Sequence, residues 1–219
     1  DYTHPDLIEN IWVNQGEIPE WAFVAPEVNS NSDDYISAVE INNFMQTQGD
    51  LNGDGVINLR DALYGVNDSP FMDGVDNDGN GYDDDLIGWD ASSSGEWGSV
   101  PDNDPFPKTG PGVLNDQGWA HGTHVAGILA AVTDNGIGMA SSIFNGKILS
   151  VKCARENGED INDPLIHNGY DGITYAAKTG YYSGARTIIN NSWGSRGSGN
   201  SEQAVINNAY NNYGAIIVA

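Results

Sequence analysis

Short apolar runs of two kinds alternate along this chain, and that alternation is its main structural signal. From Val125 onward, Ile128, Leu129, Ala130, Ala131 and Val132 leave almost no polar side to a helix, the pattern of a helix buried against a sheet. Residues 147–153, with Ile148, Val151 and Cys153, read as a buried strand, and residues 169–178 as the helix that follows it. Thr187, Ile188 and Ile189 begin another strand, then a helix is expected over about 202–213 and an apolar strand over 215–219. Strands separated by helices of this length need crossover connections, which give parallel pairing. The expected fold is therefore α/β, a mostly parallel sheet with helices on both faces. Upstream the pattern weakens: 36–46 is loosely amphipathic, 59–64 suits a short helix, and 91–118, rich in Ser, Gly, Pro and Asp, is expected to be a surface loop leading into the apolar helix.

Charge narrows the choice of partners. There are 31 acidic against 8 basic residues, a net charge of −23, concentrated between Asp1 and His121. Such a surface repels nucleic acid and anionic membrane, and no stretch approaches the roughly 18 to 20 consecutive apolar residues of a membrane span. A monomer is expected. The single cysteine, Cys153, rules out an intrachain disulfide, and its place in an apolar strand suits an inert thiol better than a nucleophile.

The candidate chemistry begins with His121, Gly122, Thr123, His124, Val125, Ala126 and Gly127, which set an imidazole at the mouth of the apolar helix. Two histidines three apart do not make the His-Glu-x-x-His zinc pattern, which needs glutamate where Gly122 stands and histidines four apart. His124, one turn into the apolar run, is expected to be a core histidine satisfied by a backbone carbonyl. Gly122 and Gly127 lower helix propensity, so close backbone approach is their expected role.

These seven residues resemble the histidine motif of the subtilisin-like serine peptidases. Asp1, Tyr2, Thr3, His4, Pro5, Asp6 and Leu7 are similar to the segment after that family's catalytic aspartate, and the strand running into Asn190, Asn191, Ser192, Trp193 and Gly194 to its substrate-binding Ser-x-Gly. The resemblance implies a three-layer subtilisin-like fold, truncated at both ends, with residues 1–219 forming part of the peptidase domain. It implies His121 as the catalytic base and Ser192, Trp193 and Gly194 as the wall that pairs with an extended polypeptide substrate, with weaker support for Asn157 and Gly158 opposite. The family's Gly-Thr-Ser nucleophile motif does not occur in these residues, and the strand bearing the aspartate would end just before Asp1. The chain alone is accordingly expected to be inactive.

Two acidic loops lie in an insertion at about 29–90. In the first, Asp50, Asn52 and Asp54 fall at positions 1, 3 and 5 of a twelve-residue EF-hand loop. Gly55 occupies position 6, Val56 offers its carbonyl at 7, Asn58 stands at 9 and Asp61 closes the loop at 12. Aspartate in place of the longer closing glutamate, and the weak preceding helix, resemble the dockerin version of the motif. The second loop repeats the spacing with Asp76, Asp78 and Asn80, the Tyr82 carbonyl and Asp84 at position 9. Its position 12 is Ile87, so Asp85, Asp73 or a residue from elsewhere must complete the shell. About two calcium ions are expected. The reading is a secreted, calcium-dependent serine endopeptidase, the alternative being a catalytically inactive, calcium-stabilised homologue or binding module.

Overall fold

The computed structural model describes residues 1–92, 100–107, 117–154, 166–194 and 199–219. These form two compact units, one of residues 1–77, 81–88 and 121–150, the other of 78–80, 89–120 and 151–219. In chain order the helices are α1 (Glu20–Val24), α2 (Ala38–Met45), α3 (Gln117–Ala130), α4 (Gly169–Tyr182) and α5 (Asn200–Tyr213). The strands are β1 (Gly88–Asp90), β2 (Ser150–Lys152), β3 (Ile188–Asn190) and β4 (Ile216–Val218). The architecture is α/β with parallel pairing, and the expected elements at 169–178, 202–213 and 215–219 all form, α4 running one turn further than the pattern suggested.

The first unit is built largely from irregular backbone around an apolar centre. Ile36, Ile41, Met45, Leu59, Leu86 and Ile87 are fully buried there, and the rings of Trp21, Phe44 and Phe71 meet at centroid distances of 5.8 to 6.0 Å. α2 starts at a capping box, with the Ser37 side chain accepting from the Glu40 N–H and the Glu40 carboxylate returning to Ser37. Burial raises the Glu40 carboxyl, but hydrogen bonds from Ser37 and Ser30 outweigh it and hold the group below the ordinary carboxylate range. The loosely amphipathic stretch is thus helical because its first turn is secured. A short 3-10 helix, Leu59–Leu63, packs against it. Extended chain at 10–14 is stitched by Trp12 N–H to the Ile148 carbonyl (2.9 Å) and Asn14 N–H to the Leu86 carbonyl (2.8 Å). Gly88 has φ +146°, and a Cβ there would strike the Ser150 carbonyl, so this point of β1 admits only glycine.

In the second unit β3 and α5 lead into β4, which returns parallel to β3 with Ile188 opposite Ile216 and Asn190 opposite Val218. α5 is the crossover that parallel neighbours require, and it packs on α4. Among the described residues each sheet has two strands, so each strand keeps an open edge, and Ile188, Ile216 and Val218 are exposed. The strand expected over 147–153 is regular only at Ser150–Lys152. Cys153 is half-buried; burial first, then the nearby carboxylate of Asp90, push its thiol up to about 12, which leaves almost no thiolate at neutral pH.

A buried ionic cluster closes this unit. Lys152 Nζ donates to Asp90 Oδ2 (2.6 Å) and to Ser92 Oγ (2.9 Å), and the Ser92 hydroxyl and N–H both donate to Asp90 Oδ1. Burial pushes the Asp90 carboxyl up to about 6 against the pull of Lys152. With the folded value above the unfolded one, the folded chain holds the extra proton between about pH 4 and 6, so this group's contribution to stability falls as pH rises through that window and then levels. Replacing Lys152 with methionine strands the carboxylate. The expected cost is about 3 to 5 kcal/mol at neutral pH by denaturant titration, with the decline extending beyond pH 6. An unchanged midpoint in Lys152→Met would show that the pair contributes nothing.

Candidate functional site

His121 stands in the first turns of α3 with its imidazole exposed. The helix is less enclosed than its composition suggests. Ala130 and Ala131 are buried, but Ile128 is 56% exposed, Leu129 is on the surface, and His124 is exposed rather than satisfied in a core. Within this unit the helix is tied at two points, the Ala130 carbonyl accepting from Asn10 Nδ2 and Thr123 Oγ1 accepting from the Asp1 ammonium (2.8 Å), and His124, Ile128 and Leu129 stay exposed between and beside them. The expected close backbone approach at the two glycines is not seen. Among the described residues nothing lies within 4 Å of a Cβ at Gly122, and at Gly127 only ordinary contact with Met139 is met.

Ser192, Trp193 and Gly194 belong to the second unit, directly after β3. Asn191 N–H donates to the Val218 carbonyl, carrying the pairing one residue past the strand, and Ser192 Oγ accepts from Asn190 Nδ2 at 2.9 Å. The Trp193 ring lies edge-on to Tyr170 at 5.7 Å and covers Gly169, where a Cβ would collide with the indole. Ser192 and Gly194 are exposed, so an open backbone edge follows the strand while the indole is seated against α4. Asn157 and Gly158 lie outside the described residues.

In the first acidic loop the carboxylates organise the backbone. Asp50 accepts from the N–H groups of Gly53, Asp54 and Gly55, and Asn52 Oδ1 and Asp54 Oδ1 accept from Asp54 and Val56 N–H respectively. Asp61 is fully buried and accepts from Leu51, Asn52 and Asn58 N–H at 2.8 to 3.2 Å. Each carboxylate has about four lone-pair sites, so these bonds leave acceptor capacity for a hard cation. Arg60 already offsets part of the charge, 3.4 Å from Asp54 Oδ2. The side chain of Asn58 accepts from Arg60 N–H as the cap of the 3-10 helix.

The second loop is similarly wound. Asp76 accepts from Gly81 N–H, and Asp78 Oδ1 from Asn80 N–H. Asn80, fully buried, reaches Thr179 Oγ1 at 3.3 Å, a long-range tie the spacing gave no sign of. Asp84 turns to the N–H groups of Asp73 and Gly74, and burial raises its carboxyl. Asp85 accepts from Asn14 Nδ2 at 2.6 Å. Glu17, not singled out by sequence, is buried with Oε1 accepting from Asn77 N–H, and carboxylate oxygens of Glu17 and Asp76 come within 4.8 Å of each other. Two like charges so close favour a shared cation, and a donor set of oxygens alone suits calcium. Asp6 was also missed as a hub. Its carboxylate accepts from Asn135 Nδ2 (2.9 Å) and Met139 N–H (3.1 Å), and these bonds, Asn135's first, hold it below its ordinary value.

The chain is 38% identical to thermitase of Thermoactinomyces vulgaris over 125 residues, 57% of this chain and 38% of that relative. It is 36% identical to a thermophilic serine proteinase of Bacillus sp. (strain AK1) over 99 residues, 45% of this chain and 22% of the relative. With an extracellular protease of Xanthomonas campestris pv. campestris it shares 31% identity over 149 residues, 65% of this chain and 23% of the relative. The chain thus spans about two fifths or less of the length of these relatives. The subtilase family (peptidase S8) matches residues 1–219 throughout, and the chain belongs to that family.

Proposed function

We propose that these residues are part of a secreted serine endopeptidase stabilised by calcium. The observation that carries the reading is the exposed imidazole of His121 at the open end of α3, within a motif and a chain that match a peptidase family over their whole length. His121 takes the proton of a serine hydroxyl as that oxygen attacks the peptide carbonyl, and then hands it to the leaving amine. Serine and aspartate partners lie outside these 219 residues, so the chain by itself is expected to be inert. Ser192, Trp193 and Gly194 form one wall for an extended polypeptide, the exposed backbone after β3 pairing with it as an added strand. Secretion is supported by the relative named an extracellular protease, and no helix among the described residues is long and apolar enough to cross a membrane.

In the first loop Asp50, Asn52, Asp54, the Val56 carbonyl and Asp61 are the proposed ligands. In the second, the candidates are Asp76, Asp78, Asn80, the Tyr82 carbonyl, Asp84 and Asp85, and Glu17 brings the carboxylate that Ile87 at position 12 cannot offer. Bound calcium would neutralise convergent carboxylates and so stabilise turns already organised by their hydrogen bonds.

Two measurements test this reading. In the full-length protein a fluorophosphonate probe is expected to label a serine, with labelling slowed at least about a thousandfold in His121→Ala. Absence of labelling in the unsubstituted protein would favour the inactive homologue. Excess EDTA is expected to lower the melting temperature, since one ion at a hundred times its Kd stabilises by about 2.7 kcal/mol. The shift should shrink in Asp50→Asn and in Glu17→Gln, whereas identical melting curves with and without EDTA would remove calcium from the account.

A further inference from the structure

An asparagine followed by glycine is chemically labile, because glycine has no Cβ to shield its amide nitrogen from the side chain before it. Six such pairs occur in the sequence, at Asn52, Asn80, Asn135, Asn145, Asn157 and Asn168, and all but the one at Asn157 lie among the described residues. Four of those five are held in place. Asn52 Oδ1 accepts from Asp54 N–H and Asn80 Nδ2 donates to Asp78 Oδ2 and Thr179 Oγ1, while the N–H groups of Gly53 and Gly81 donate to the carboxylates of Asp50 and Asp76. Asn135 is clamped at both ends of its amide, Nδ2 donating to Asp6 Oδ1 (2.9 Å) and Oδ1 accepting from Ile137 N–H (3.0 Å). Asn168 Nδ2 donates to Asp171 Oδ2 (2.8 Å), and the Trp193 indole covers Gly169. Asn145 differs: it lies in a turn with Phe144, and among the described residues its side chain makes no hydrogen bond.

The reaction open to such a pair needs a side chain free to fold back along the chain and a following N–H able to lose its proton. A hydrogen-bonded side-chain amide fails the first condition. An N–H that donates to a carboxylate fails the second, since the negative charge opposes the nitrogen anion. Neither brake acts at Asn145, and the nearest charge along the chain is the cation Lys147. We propose that Asn145 is a site of spontaneous deamidation in the folded protein, the described Asn-Gly pair that this fold leaves able to react. The Gly146 nitrogen, its proton taken by hydroxide, attacks Asn145 Cγ; the N–Cγ bond forms, the Cγ–Nδ2 bond breaks, and ammonia leaves with a proton returned by water, closing a succinimide. A second water then opens the ring at either carbonyl, giving aspartate or isoaspartate. The net change is water in and ammonia out, with no oxidant or reductant. Each event adds one negative charge, and isoaspartate lengthens the backbone by one carbon shortly before Ile148, whose N–H donates to the Asn10 carbonyl and whose own carbonyl accepts from Trp12.

The test uses the full-length protein, with any peptidase activity blocked by a fluorophosphonate, incubated folded and, in parallel, unfolded in guanidinium chloride. Both samples are then digested at acidic pH and read by mass spectrometry. In the unfolded chain all the pairs react. In the folded protein the peptide containing Asn145 is expected to gain about one dalton, faster at alkaline than at neutral pH, and to become a substrate for an isoaspartate methyltransferase. Its rate should fall less than about tenfold below that of the unfolded chain, whereas Asn52, Asn80, Asn135 and Asn168 should each be slowed about tenfold or more. Asn145→Gln, which would have to close a larger ring, should lose the methyltransferase labelling of this peptide and leave the other four pairs unchanged. The proposal is overturned if folding slows Asn145 about tenfold or more, the result expected where the rest of the protein covers this turn. It is equally overturned if any of the other four reacts faster than Asn145 in the folded protein, or if the labelling persists in Asn145→Gln.

Discussion

The carboxylate that accepts backbone N–H groups is the interaction on which the first unit depends. That unit has little regular structure, so its N–H groups bond to carbonyls in turns and, where a loop offers none, to side chains. Aspartate fills the gap. Asp61 gathers the N–H groups of Leu51, Asn52 and Asn58, Asp50 those of Gly53, Asp54 and Gly55, and Asp84 those of Asp73 and Gly74. Hydrogen bonds to an ionised acceptor contribute roughly 1.5 to 3 kcal/mol each, and a short side chain with two oxygens can hold a turn that no helix could. Part of a strongly acidic composition that reads as surface charge is internal scaffolding, at Asp6, Glu17, Glu40, Asp61, Asp84 and Asp85.

The same device prepares the loops for cations. Carboxylates drawn inward by amide donors converge, and convergence of like charge is what a divalent ion relieves. Glu17 and Asp76 show the principle across 59 positions of sequence, brought within 4.8 Å by the fold of the first unit. The second unit holds a buried ion pair instead, Lys152 with Asp90, braced by Ser92, and a tyrosine cluster where α4 and α5 end.

What could be read in the sequence follows from how local each signal is. α4, α5, β3 and β4 were legible because their apolar residues recur at fixed spacing, and His121 because its motif is contiguous. The Asp50 to Asp61 loop was legible for the same reason, its hydrogen bonds running between near neighbours. Asp6, Glu17 and the Asp90 with Lys152 cluster were not, since each acts on a partner 60 or more positions away and leaves no period. His124 and Ile128 misled because an apolar composition on every side of a helix says that it can be buried, not which side this part of the molecule covers.

The claim that buried aspartates hold the irregular backbone is tested most directly by amide hydrogen exchange on the full-length protein in excess EDTA, comparing Asp61→Ala with the unsubstituted chain. The account predicts that exchange at Leu51, Asn52 and Asn58 accelerates at least about tenfold while α4 keeps its protection, the loop opening as a local unit. Equal protection of those three amides in both proteins would contradict it, and would return the acidic residues to the surface role their number suggests.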